Sequence, residues 1–253
     1  MFDAHNHLDR CEDPHEEATL AASSGIDGML VAGVDPAGWE AQARLSHIPG
    51  VLLAYGLHPW AVAAMDDAAV EEGLRALERR LDRGPAASAL GELGLDRSGA
   101  VDPTSLDRQE RAFRAQLRLA RERDLPVVLH IVRAHGRALS ILRQEGLPRA
   151  GGMVHSASTP PEELPRWLEL GLHISFSGSV TRHPRAREAA ARVPLDRLLA
   201  ETDAPDQPPL GTEAPNRVSN LGRVVQALAE VHAVSVEEMA ARTAENARRV
   251  LGA

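Results

Sequence analysis

The chain has 253 residues, 43% hydrophobic and only 3% aromatic, so it can bury a core made mainly of Leu, Val, Ala and Ile. Its formal charge of -8 argues against a general nucleic-acid coating protein, although bound cations or a local arginine cluster can still admit a nucleic-acid substrate. A single cysteine, Cys11, excludes an internal disulfide framework, and the lack of any lysine excludes Schiff-base, P-loop and metal-bridging lysines.

Eight short apolar runs read in chain order as buried strands: 1–4, 28–34, 51–57, 87–95, 127–132, 152–155, 173–176 and 198–202. Between them lie segments with helical periodicity, clearest at 70–83 and 105–123, where Leu106, Phe113, Leu117 and Ala120 share one face. A short helix is expected at 162–170, ending near Gly171, and closing helices at 224–232 and 236–251. Asp35, Ser105 and Ser235 are candidate caps, with Ser235 to Glu238 fitting a capping box. Eight strand–helix units in this length predict a (β/α)8 TIM barrel of the α/β class, as one domain over 1–253. A doubly wound open sheet is the competing arrangement.

Ionisable residues gather where these strands end. His5 and His7 follow the first, His58 the third, and Glu92 and Asp96 belong to the fourth. His130, with Arg133 and His135 behind it, closes the fifth; His155 closes the sixth; Ser177 follows the seventh; Asp203 follows the eighth. In a barrel such ends form one ring around one mouth. His5, His7, Glu92, His130, His155 and Asp203 then supply the donors two divalent ions require, with Zn, Mg or Mn all compatible. Without lysine, a carboxylate has to bridge such a pair. Each residue also has an ordinary reading: a hydrogen-bonded core histidine, a buried glutamate, a helix cap at Asp203. The coincidence of all six at strand ends favours the metal site.

The motifs Asp3-Ala-His5-Asn-His7-Leu-Asp9, Gly56-Leu-His58-Pro59, Gly91-Glu92-Leu-Gly-Leu-Asp96, Pro126-Val-Val-Leu-His130, Val154-His155-Ser156, Ser175-Phe-Ser177-Gly178 and Glu201-Thr-Asp203-Ala-Pro205 resemble the TatD family of metal-dependent deoxyribonucleases. Thr243-Ala-Glu-Asn246 resembles that family's last helix, so the likeness spans the chain. It implies that His5, His7 and Asp203 bind one metal, and that Glu92 bridges to a second held by His130 and His155. The chain departs from the family at His155-Ser-Ala-Ser-Thr159, where His-Cys-Phe-Ser-Gly is frequent, and at His130-Ile-Val-Arg133, where His-x-Arg is common. Both departures fall in substrate-contacting loops.

The expected reaction is phosphodiester hydrolysis, with DNA or a nucleotide-like phosphodiester as substrate, Asp203 and Glu92 as catalytic carboxylates, and exonuclease action. Arg133 is a candidate phosphate contact. His58 and His135 are candidates for substrate contact or for protonating the leaving oxygen. Ser177, in the loop running to Arg182, lies where barrels often bind phosphate. The alternative is an amidohydrolase acting on a cyclic amide or lactone at the same centre. A non-catalytic relic barrel conflicts with the intact ligand set, and a redox protein lacks the equipment. No signal-peptide pattern and no run of roughly 18 apolar residues is present, so a cytoplasmic protein is expected, with no membrane association and no obligate protein partner.

Overall fold

The computed structural model describes residues 1–253, and it forms a nearly closed barrel rather than an open sheet. The strands are β1 (Phe2–Asn6), β2 (Gly28–Ala32), β3 (Val51–Tyr55), β4 (Ala89–Asp96), β5 (Val127–Val132), β6 (Gly152–Val154), β7 (His173–Phe176) and β8 (Leu198–Ala200). All neighbours pair parallel, in the sequential order β1 to β8. The helices are α1 (Pro14–Ser23), α2 (Trp39–Ala43), α3 (Pro59–Ala64), α4 (Asp67–Arg83), α5 (Leu106–Arg123), α6 (His135–Glu145), α7 (Leu164–Leu168), α8 (Ser179–Arg182), α9 (Pro184–Ala191), α10 (Leu221–His232) and α11 (Val236–Leu251). No helix is long and apolar enough to cross a membrane.

Two apolar clusters follow from strand alternation. Phe2, Ala4, Leu30, Ala54, Ala89, Val128, Met153 and Leu199 point into the barrel and are closed off below by Ala244, Ala247, Val250 and Leu251 of α11. The outward residues, such as Leu53, Leu90, Leu129 and Ile174, pack against Phe113, Leu117, Trp167 and Leu228 of the surrounding helices. Each fully buried Leu or Phe in such a layer contributes about 1.5–3 kcal/mol. β7 is the exception inside: its inward positions are His173 and Ser175, whose polar side-chain atoms are buried without partners.

Seam and clamps complete the frame. No ladder joins β8 to β1. Instead the Asp3 carboxylate accepts from the Thr202 N–H (2.9 Å) and the Thr202 hydroxyl (2.5 Å), while the Asp203 N–H donates to the His5 carbonyl and the His7 N–H to that of Ala204. Burial pushes the Asp3 carboxyl up to about 7, against the lowering effect of the Thr202 donors. On α5, Gln109 and Gln116 lie on the buried stripe beside Phe113 and Ala120. Gln116 bonds both the N–H and the carbonyl of Leu57 (2.8 and 3.1 Å), and Gln109 does the same for Asp96 (2.8 and 3.1 Å). Two strand ends that carry site residues are thereby held by one helix.

Local expectations differ from the structure mainly at helix ends: α10 begins at Leu221 rather than 224, and α7 spans only Leu164–Leu168 of the expected 162–170. Asp66 caps α4, which begins three residues before the expected 70. Ser105 stands at the start of α5, but its hydroxyl donates to the Asp102 carbonyl instead of capping the helix. Asp35 accepts from Ala37 and Gly38 and so shapes the turn ahead of α2, while Ser235 does cap α11 by accepting from the Glu238 N–H.

Candidate metal centre

Register breaks place the first two histidines and the central glutamate. β1 is irregular between Asp3 and Asn6, and β4 between Gly91 and Leu93. Alternation from inward-facing Ala89 would send Glu92 to the outer face; the break turns it into the mouth. Glycines make room for it. A Cβ on Gly56 would lie 2.5 Å from the Glu92 carbonyl oxygen, and one on Gly94, at φ 150°, would lie 2.0 Å from that of His130.

Glu92 is buried, and its carboxylate oxygens meet no donor other than the surrounding imidazoles. Its Oε1 faces His7 Nε2 at 3.3 Å. Its Oε2 faces His155 Nε2 at 2.7 Å, His130 Nδ1 at 3.5 Å, and His5 and His58 Nε2 at 3.7 Å each. Asp203 Oδ1 lies 3.5 Å from His5 Nε2 and 3.7 Å from His7 Nε2. Asp203 itself adopts a left-handed φ of 56°. That conformation makes it no helix cap.

Each imidazole is oriented from behind. His7 Nδ1 donates to the Ala32 carbonyl (2.9 Å), which leaves Nε2 as the free lone pair. His130 Nε2 donates to Asp96 Oδ2 (3.0 Å), which leaves Nδ1 facing Glu92. His155 Nδ1 has the buried Glu201 carboxylate 3.6 Å behind it. His58 differs: its Nδ1 accepts from the Trp60 N–H (3.0 Å). Burial, then the neighbouring His130, hold His58 well below the usual histidine value, so it is neutral and its proton sits on Nε2. A ring so protonated donates to His130 Nδ1 (3.1 Å) rather than ligating.

Charge balance is set by the same neighbours. Burial alone would raise the Glu92 carboxyl; the imidazoles of His155, His58 and His5 outweigh it and hold it well below the carboxylate range. Burial likewise works against a protonated His155, and Glu92 and then Glu201 overcome it, pushing His155 well above its ordinary value. A buried carboxylate that meets only imidazoles fits divalent cations by donor type and charge. His5, whose ring nitrogens both lack partners, adds to that fit. The groupings within reach of one ion are His5–His7–Asp203, His5–Glu92–His155 and His58–Glu92–His130.

The six expected ligands therefore converge on one cavity of about 540 Å³ at the barrel mouth, five of them on its wall and His5 just beneath. The expected substrate contacts divide. His58 lines the cavity. Arg133, His135 and Ser177 do not. Arg133 is exposed at φ 52°, His135 opens α6 and packs its ring 5.9 Å from that of Trp167, and Ser177 is buried with its hydroxyl against that of Ser156. Arg10 and Arg182 occupy the wall instead. Trp60, Asp96, Glu201 and Arg10 were not assigned roles from sequence. Asp96 and Glu201 stand inside the quoted motifs, but their roles appear only once His130 and His155 are placed in space.

Comparisons with known proteins identify a family and a fold. The family model described as TatD related DNase matches residues 2–252. The uncharacterised metal-dependent hydrolase YjjV of Escherichia coli is 36% identical over 249 residues, covering 95% of this chain and 93% of its own. The crystal structure of the TatD homolog YjjV superposes with a TM-score of 0.89 at 32% identity, over 100% of this chain and 98% of that one. A Pantoea vagans protein named 3'-5' ssDNA/RNA exonuclease TatD is 34% identical, covering 90% of this chain and 89% of its own.

Proposed function

The chain belongs to the TatD-related DNase family of metal-dependent hydrolases, and from that premise we propose that it cleaves phosphodiester bonds in single-stranded DNA or a nucleotide-like substrate, working from an end with two divalent ions. The observation that carries this reading is Glu92. Its two oxygens face different sets of imidazoles and have no other partner, as a carboxylate bridging two cations requires. A relative named as an exonuclease supports the nucleic-acid substrate. We further propose that residues 1–253 act as one unit.

His5, His7 and Asp203 would hold one cation, His130 and His155 the other, with Glu92 between them; Zn, Mg and Mn all suit this donor set. Such ions lower the pKa of water and polarise a phosphoryl oxygen. Asp203 reaches the cavity wall, and its carboxylate is free to accept the proton of the attacking water. Burial would raise that carboxyl, but His5, His155 and His7 outweigh burial and keep it below its ordinary value, ready as a base. His58 lines the same space, with Nε2–H directed at the His130 Nδ1 lone pair (3.1 Å); were a cation to take that lone pair, the neutral ring would be placed to donate a hydrogen bond to a substrate oxygen. Asp96 and the Ala32 carbonyl keep His130 and His7 in the tautomers this arrangement needs.

The test is Asp203→Asn. It should abolish divalent-dependent cleavage of an end-labelled single-stranded oligonucleotide while circular dichroism stays that of the wild type. Near-wild-type cleavage would remove Asp203 from the mechanism. Hydrolysis of lactones or cyclic amides by a wild-type protein that leaves oligonucleotides intact would overturn the phosphodiester reading.

A further inference from the structure

Trp60 is the one tryptophan of three that is open to solvent: it is 48% exposed, against 2% for Trp39 and 0% for Trp167. It sits on the wall of the cavity that holds the metal-centre residues. An indole left in water needs a reason to stay in one place, and this one has three anchors. Its Nε1–H donates to Asp96 Oδ2 at 2.6 Å, and its ring meets those of His58 and His130 edge-on, with centroids 4.9 and 5.9 Å away. The ring is thus rigid and half open before any ligand arrives, so little ordering remains to be done on binding.

Cationic groups share that wall. Arg10 and Arg182 line the cavity, are exposed, and take part in no ion pair or side-chain hydrogen bond, although most other arginines of this acidic protein are paired with Asp or Glu. An unpaired guanidinium suits a phosphate, and a fixed indole suits the face of a base. We propose that Trp60 is a base-stacking platform, with Arg10 and Arg182 receiving the phosphates of the same strand, so that the cavity mouth selects an unpaired nucleotide. Every base has a π-face, so the platform recognises single-strandedness rather than sequence. A paired base is already stacked on both sides and has no free face to offer. The proposal rests on the phosphodiester reading above and adds the element that distinguishes a nucleotide from other phosphate esters.

The experiment uses the metal-loaded protein and two product-like probes, dAMP and 2-deoxyribose 5-phosphate, which share a phosphate and differ in the base. With Trp39 and Trp167 buried, dAMP should quench tryptophan emission, and the sugar phosphate should not. Trp60→Phe should remove the quench. In oligonucleotide cleavage, Trp60→Ala and Trp60→Phe both lose the bond to Asp96, but only the phenyl variant keeps a ring. The KM of Trp60→Ala should therefore exceed that of Trp60→Phe by about fivefold or more, the lower bound for one base-on-aromatic stack. Equal KM values for the two variants, or equal quenching by both probes, would overturn the platform while leaving the nuclease reading in place. Quenching by dAMP in a protein that cleaves no oligonucleotide would keep the platform and overturn the nuclease reading.

Discussion

Asp96→Asn should weaken metal binding without touching a proposed ligand. Asp96 is buried, and its carboxylate takes three donors: Oδ2 accepts from His130 Nε2–H (3.0 Å) and Trp60 Nε1–H (2.6 Å), and Oδ1 accepts from the Ser98 N–H (2.6 Å). These donors outweigh burial and hold the carboxyl well below the usual range, so the wild type carries a charge there. An asparagine has one acceptor oxygen. If that oxygen keeps His130 and Trp60, the amide NH2 meets the Ser98 N–H; if it turns to Ser98, the NH2 meets the indole. Either way one buried polar group loses its partner, at a cost of about 1–3 kcal/mol in stability. The negative charge behind His130 is lost as well. Outer-shell partners of this kind are worth about 10–100-fold in metal affinity, or about 1.4–2.7 kcal/mol. Calorimetric titration of metal-stripped protein should show two binding events in the wild type, with only one of them weakened in the variant. Unchanged affinity at both would refute the argument that Asp96 fixes His130, and with it the tautomer assigned there.

Two further outcomes follow from groups outside the centre. His173 lies inside the barrel with both ring nitrogens unpartnered, and burial, then Arg197 and Arg249, depress it from 6.5 to about 4. The unfolded chain therefore binds this proton first as pH falls: the contribution is intact above about pH 6.5, declines between 6.5 and 4, and is lost below 4, a change of about 3 kcal/mol. Urea unfolding of His173→Phe across that range should show a correspondingly flatter acid limb, and an unchanged slope would remove His173 as its source. Gly94→Ala puts a methyl 2.0 Å from the His130 carbonyl at φ 150°, so it should cost about 3 kcal/mol or more and weaken metal binding together with stability. A variant with wild-type melting temperature would show that β4 and β5 can separate.

Much of the barrel is legible in the chain because parallel strands are buried on both faces. Runs such as 127–129 are apolar throughout, and the polar site residue, here His130, stands where the run ends. The ligand cluster is legible for the same reason: strand ends become neighbours once the sheet curls. What stays hidden is whatever depends on direction rather than position. Arg133 and His135 follow His130 closely, yet the chain turns at Arg133 into α6 and carries both off the cavity wall. Gln109 and Gln116 sit on an otherwise apolar stripe and look like flaws in it, until the Asp96 and Leu57 backbones supply their partners. The register breaks at His5 and Glu92 leave no trace in composition, although alternation alone would misdirect Glu92.

The seam between first and last strands has a consequence for biosynthesis. Asp3 and Thr202, which join it, stand 199 residues apart, and on the ligand set proposed above His5 and His7 wait across the same gap for Asp203. A nascent chain carries the two histidines from the outset, reaches Glu92 with the fourth strand, and gains Asp203 only when the eighth emerges and the ring shuts. Closing so long a loop is entropically costly, and a cation held on both sides of the join would help offset that cost. The proposed centre is therefore complete only once the eighth strand is in place, and a chain truncated before that strand should fail to hold the first cation.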